Sequence, residues 1–343
     1  MHSSSRHSSG GFSPRTIGIA TAVITVLIWT SFIIIARASA DPARGGTLTP
    51  FDIALCRIVG ASLILLPWGA WLVYRDQARG VEHSSLFGLS PLSLRVTATV
   101  GLFGGLLYAM LAYSGFVFAP ATHASVLMPG SLPLWTALLA VLVLHDRITP
   151  LRALGLGLIV LGDLMVGGAS LLHAFDGGEV WKGDVLFMVT ALCWSAYSVL
   201  ARRHALDAVR ATIAITVFAF MSYVPIYVAL LLWQIVQGHV FTAPLGEVLF
   251  QMIFQGWGSV VISGITFTKM IQYFGPVRST MITALVPGLS ALGAVLFLGE
   301  PLHWNLAAGL ALVTLGILFG VRAISHVATK TVAASSSSTV ARG

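Results

Sequence analysis

Apolar residues in this chain fall into ten runs of about 20, each long enough to cross a hydrocarbon layer of roughly 30 Å as a helix. Within lipid no water is present to satisfy a peptide group, so a spanning segment must be a helix or part of a closed barrel. Barrel strands would alternate apolar and polar residues over about ten positions, whereas Leu, Ala, Gly and Val fill both faces of these runs. The predicted fold class is therefore an all-α integral membrane protein with ten transmembrane helices. A mean hydropathy of +0.90 and a charged share of only 9% agree, because no water-soluble core accommodates 57% apolar residues.

The expected spans are Thr16 to Ala36, Pro50 to Tyr74, Val96 to Val117, Ala121 to Leu144, Pro150 to Ala169, Lys182 to Ala201, Ala211 to Gln234, Glu247 to Met270, Pro276 to Leu298 and His303 to Val321. The first run is too long for a signal peptide and lacks a small-residue cleavage site, so it is read as a retained helix. If both ends lie in the cytoplasm, fifteen basic residues sit on that side, and only Arg37, Arg44 and Lys182 face the other. The positive-inside rule predicts such a split for an even number of spans. The net charge of +7 is thus a topology signal spread over short loops, not a nucleic-acid stripe. The ends, 1–15 and 323–343, are Ser-rich and expected to be solvated and disordered cytoplasmic tails.

Shifting the chain by 154 positions lays Pro133 to Leu164 over Pro287 to Leu318 with about 14 of 32 positions identical, including Pro133/Pro287, Gly155/Gly309 and Gly162/Gly316. A looser match sets Trp29, Ala36 and Arg37 over Trp194, Ala201 and Arg202. Five spans per half is an odd number, so the halves must have opposite orientation. Inverted repeats of this kind place a cavity near the midplane, around which two bundles rock. Pro133 and Pro287 fall near the centres of their expected spans, where each would remove a backbone hydrogen bond. The freed carbonyl either shapes a kink in the packing or faces a polar cavity.

The stretch Trp29-Thr30-Ser31-Phe32, Arg57 in the second span, Trp194 to Arg202, and the corners Leu144-His145-Asp146-Arg147 and Leu298-Gly299-Glu300-Pro301 together resemble the drug/metabolite transporter superfamily, in its EamA-type branch. The first corner departs from the family's Leu-Gly-Glu-Arg/Pro pattern at His145 and Asp146. The resemblance covers about residues 15 to 322. It implies two EamA-like five-helix repeats, 16–169 and 182–322, joined by a linker at 170–181. It also implies a carrier of the cytoplasmic membrane, in bacteria the inner membrane, for an amino acid, nucleobase or drug-like solute, often working as an exporter.

Ionisable groups at membrane depth are costly and are functional candidates by default. Arg57 and Asp163 lie at similar expected depth, so they either pair as an outer gate or reach the interface separately. His123, at the start of the fourth span, is either a protonation switch or an interfacial residue. Trp29, Ser31, Tyr108, Tyr113, Trp194, Tyr197, Gln255 and Thr283, with Pro133 and Pro287, are the candidate cavity residues; the aromatic ones among them are also ordinary interfacial anchors. Trp29 and Trp194 carry most weight because they recur in both repeats.

Cys56 and Cys193 lie inside apolar runs and offer no metal set, and no phosphate-binding loop for ATP is present. The expectation is a non-enzymatic secondary transporter with no cofactor, whose partners are a small-molecule substrate and the bilayer. A channel or a non-catalytic structural membrane protein stays open at this stage, as do substrate, direction, coupling and oligomeric state.

Overall fold

A computed structural model describes residues 14–80 and 84–320 of the chain. The predicted tails therefore lie outside the described residues except at Pro14 and Arg15. Ten apolar helices make up the described part: α1 (Pro14–Ala40), α2 (Pro50–Gln77), α3 (Leu94–Phe118), α4 (Ala121–Leu144), α5 (Pro150–His173), α6 (Val180–Arg203), α7 (Ala208–Leu232), α8 (Leu245–Met270), α9 (Leu285–Leu298) and α10 (Trp304–Gly320). Eight of them are long and apolar enough to cross a membrane; α9 and α10 are shorter. The chain is a multi-pass membrane protein.

Three local features differ from expectation. The first is that α5 runs on to His173, so the expected linker at 170–181 begins as helix. The second is the connection between the eighth and ninth spans, which stays helical through Thr283 and breaks only at Ala284. Even so, the chain doubles back there. Descending α8, Gln251 donates to Ser39 Oγ (2.7 Å), Thr25 meets Thr266 (2.9 Å) and Phe274 packs at Gly18; α9 then returns to lay Gly293 against Ile34 and the Leu298 carbonyl beside Arg44.

The third concerns the prolines. In α4 the break comes first, at Met128–Ser131, and Pro133 opens the new segment Leu132–Leu144. Pro287 likewise sits in the first turn of α9. The leading N–H groups of a helix have no intrahelical partner, so, contrary to the expected loss of a mid-span bond, neither proline removes a bond from a helix interior. The two breaks are equivalent under the 154-residue shift, since Gly130 corresponds to Ala284. The third helix of each half also carries a π-helical stretch, Leu102–Leu107 in α3 and Met252–Ile262 in α8. Such stretches commonly mark functional sites.

The inverted relation of the halves is visible where α5 meets α10. A Cβ placed on Gly155 would lie 2.6 Å from the Gly316 carbonyl oxygen, and one on Gly316 would lie 2.5 Å from that of Gly155. Gly162 and Gly309 face each other in the same way, at 2.6 and 2.8 Å. Because Gly155 corresponds to Gly309 and Gly162 to Gly316, each contact is the image of the other, as a two-fold axis requires. Without a hydrophobic drive between helices in lipid, close backbone approach of this kind is one of the contacts that hold the halves together.

Replacing Gly162 with Leu forces a side chain into backbone and is expected to cost about 1–3 kcal/mol or more. Gly157→Ala, with nothing within 4 Å of its Cβ position, should be neutral or slightly stabilising. Thermal unfolding in detergent checks this: equal midpoints for the two variants would refute the packing role.

Candidate functional site

The site begins at the α2 N-terminus. Thr49 and Asp52 form a reciprocal capping box ahead of the apolar run, with Pro50 opening the helix. Asp52 is fully buried and also accepts from the His239 backbone N–H (3.0 Å) and the Tyr227 hydroxyl. These bonds pin α2 to α7 and to the connection before α8. They thereby set the height of Arg57, five residues on.

Arg57 is only 8% exposed. Its Nη1 donates to Ser259 Oγ of α8 (3.0 Å), and its guanidinium lies 5.7 Å from the Phe32 ring centroid and 5.9 Å from that of Tyr108. Both rings offer a negative face to the cation. Tyr108 in turn packs on Trp194 (4.9 Å between centroids), which makes an edge contact with Tyr197 (5.2 Å), while Trp29 packs on Phe267 (5.1 Å).

A cavity of about 390 Å³ lies among these groups, bounded by Trp29, Arg57, Trp194 and Tyr197, and by the hydroxyl-bearing Ser198, Thr212, Thr216, Ser259, Ser263 and Thr268. It reaches Leu206, Asp207 and Ala208 at the α6–α7 connection, and so extends to one end of the bundle. A smaller lobe of about 60 Å³ continues inward past Phe32, Tyr108, Met128, Pro129, Leu132 and Val286. The break in α4 and the turn into α9 thus face the lobe, although Pro133 and Pro287 themselves do not line it.

The far end is shut by a charged knot. Glu300 accepts from the backbone N–H of Ala121 (3.0 Å) and of Thr122 (2.9 Å) at the start of α4 and pairs with Arg37 (3.4 Å), while Arg37 Nη1 donates to the Phe116 carbonyl (2.7 Å). A carboxylate on free helix N–H groups is favourable both as hydrogen-bond acceptor and against the helix dipole. At the cavity end, the equivalent acid, Asp146, takes both Nη1 and Nη2 of Arg202 (2.8 and 3.2 Å). Arg37 and Arg202 correspond in the repeat, as do Glu300 and Asp146. Each acid therefore joins the basic residue from the other half, at opposite ends of the bundle. The second pair is the more exposed: the Arg202 and Asp146 side chains are 62% and 27% accessible, against 24% and 11% for Arg37 and Glu300.

Several predicted residues lie elsewhere. No ion pair joins Arg57 to Asp163 among the described residues: Arg57 faces the aromatic cavity, and Asp163 lines a separate groove between α4, α5 and α6. The longer α5 also places Asp163 nearer mid-helix than the expected span implied. His123 bonds Asp184 (2.9 Å), with Asp184 also accepting from Ser170, so its ring is engaged between α4 and α6 away from the cavity. Tyr113 donates to Gln255 Oε1 (3.0 Å), both fully buried behind the cavity wall. Ser31 and Thr283 are absent from the lining.

The hydroxyls of α7 and α8 escaped the sequence reading. Ser259 and Ser263 stand four residues apart on one helical face, a polar stripe that spacing alone would have revealed. Among the described residues no cluster of His, Cys, Asp or Glu is suited to a metal ion.

Removing the Tyr113 hydroxyl by Phe would orphan Gln255 Oε1, whose Nε2 already lacks a partner. The expected cost is about 1–3 kcal/mol, and Tyr113→Phe with Gln255→Leu should recover part of it. A thermal-midpoint series in detergent measures both.

The sequence model of the EamA-like transporter family matches residues 16–168 and again 181–322. An uncharacterized transporter of Bacillus subtilis (strain 168), YyaM, is 24% identical over 273 residues, covering 80% of this chain and 85% of its own length. An uncharacterized transporter of Archaeoglobus fulgidus is 29% identical over 200 residues, 57% of this chain and 61% of its own. One crystal structure of 22% identity aligns with a TM-score of 0.50 over 90% of this chain and 96% of that one, a likeness of fold alone.

Proposed function

The chain belongs to the EamA-like transporter family, and we propose that it is a secondary transporter exporting a small organic solute with a carboxylate or similar anionic group, by alternating access between its inverted halves. The observation that carries this reading is the pair of repeat-related clamps, Arg37–Glu300 and Arg202–Asp146, at opposite ends of the bundle that encloses the cavity. An alternating carrier needs two ends built alike, only one of which is sealed at a time; both ion pairs are formed here, so the ends differ in the packing behind each pair and not in the pair itself. Here the Glu300 barrier is backed by fully buried Ala36, Phe116, Ala119 and Ala121, while the cavity reaches the Asp146 end. A channel would need a path through both.

The solute class follows from what lines the cavity. Arg57 is the cation among the described residues that line the cavity and has guanidinium N–H groups beyond the one given to Ser259, in a fork that suits a carboxylate. Trp29 and Trp194 flank a body of amino-acid, nucleobase or drug-like size, within the roughly 300–1,000 Å³ range of small-molecule sites. The excess of basic residues on one side supports a cytoplasmic position for the open end and both termini, at the cell membrane. From there the solute would load for export, driven by a gradient and without catalysis.

Counterflow in proteoliposomes across a panel of carboxylates, bases and amines tests the reading. Saturable exchange of one or more carboxylates is expected, reduced at least tenfold by Arg57→Gln and less by Arg57→Lys. Ionic conductance, or exchange indifferent to Arg57→Gln, would rule it out. In a background lacking Cys56 and Cys193, Glu300→Gln should also raise labelling of a cysteine placed at Ala36 by an impermeant maleimide added from outside. Asp146→Asn should not.

A further inference from the structure

A second cavity of about 390 Å³ lies on the flank of the bundle between α4, α5 and α6 and shares no lining residue with the aromatic cavity or its lobe. Its rim is made of side chains on the outer surface of the bundle, among them Val160, Leu164, Leu171 and Val185, so in a membrane it faces hydrocarbon. Asp163 lines it. That side chain is 7% exposed, and neither carboxyl oxygen has a hydrogen-bond partner among the described residues. The Trp135 indole N–H, in the same lining, is buried and equally without a partner. Asp184 also borders the groove, but its oxygens are taken by His123 and Ser170.

Packing does not require an acid at this place. Under the repeat, position 163 corresponds to Ile317, a buried aliphatic residue in the other half. Asp163 is the fourteenth residue of the 24-residue helix Pro150–His173, about 20 Å from one end and 15 Å from the other at 1.5 Å per residue. An unpartnered carboxyl so deep is costly to keep, and such groups mark binding or transfer sites.

We propose that the groove binds an amphiphilic amine taken from the bilayer, its ammonium donating to Asp163 and its hydrocarbon part lying along Leu134, Leu164, Met188 and Leu192. A carboxylate accepts only, and an ammonium brings three donors together with the opposite charge. A small metal cation is a poor fit, because it needs several oxygen ligands and the remaining walls are almost wholly apolar. A neutral alcohol offers one donor and brings no charge to match a carboxylate. The Trp135 and Trp181 rings supply faces for the cation, and the free Trp135 N–H selects amines with a hydroxyl or ether oxygen beside the nitrogen. This site is independent of the transport reading.

The test uses the full chain in phosphatidylcholine nanodiscs with radiolabelled dodecylamine, subtracting partition into empty discs. One saturable site per chain is expected. Asp163→Asn and Asp163→Ile should weaken it at least tenfold, Trp135→Phe by a few fold, and Asp163→Glu should retain most of it. Because Ile occupies the equivalent place in the other half, Asp163→Ile is expected to remain monodisperse, and gel filtration checks this. Absence of a saturable component would overturn the proposal, as would unchanged binding by a monodisperse Asp163→Ile protein. Equal displacement by dodecanol would do so too, because it would mark the groove as a simple acyl-chain slot.

Discussion

Hydrocarbon leaves a peptide group no partner but its own helix, and it leaves helices no reason to associate except close contact. The fold rests on this constraint. Where α5 crosses α10, backbone approaches backbone through Gly155, Gly162, Gly309 and Gly316, each opposed to the image of its own repeat partner. The α2–α8 contact works by the same means, with Gly60 against the Met252 backbone and Gly256 against Gly60. Trp257 Nε1 then donates to the Gly60 carbonyl (2.9 Å) across that seam. Bulky side chains are displaced to the lipid face, where Leu142, Leu164 and Phe297 stand exposed.

Polar pairs such as Thr25–Thr266 and Thr136–Ser195 cross between regular helices, but around the aromatic cavity helical regularity is also relaxed. The π-helical stretches of α3 and α8 and the breaks leading into Pro133 and Pro287 supply that relaxation around the aromatic cavity. Gly104 and Gly105 of the first stretch and Ser259 and Val260 of the second line it directly. The same logic explains why charge collects at the helix ends. Glu300 finds free N–H groups at the start of α4, and Asp52 finds them at the start of α2 and in the backbone before α8. Asp163 has no such terminus within reach and stays unpaired.

Near-symmetry and its failure have different consequences. Arg37–Glu300 and Arg202–Asp146 follow one plan, yet the first is tucked against buried alanines and the second lies exposed beside an open cavity. Arg57, Asp52 and Asp163 each belong to one half alone.

Sequence alone determined that the chain spans a bilayer as helices, because run length and the cost of an unsatisfied peptide leave no other element. It also determined that the halves are inverted, because five spans is an odd number, and it singled out Trp29, Trp194 and Arg57 by recurrence and by cost. Only the tertiary structure decided which polar groups meet. Arg57 and Asp163 have similar expected depth, but depth is one coordinate and pairing needs the helix face and the neighbour as well. Those come from the crossing of glycine-lined seams, which turned Arg57 toward Ser259, His123 toward Asp184, and Asp163 into an apolar groove.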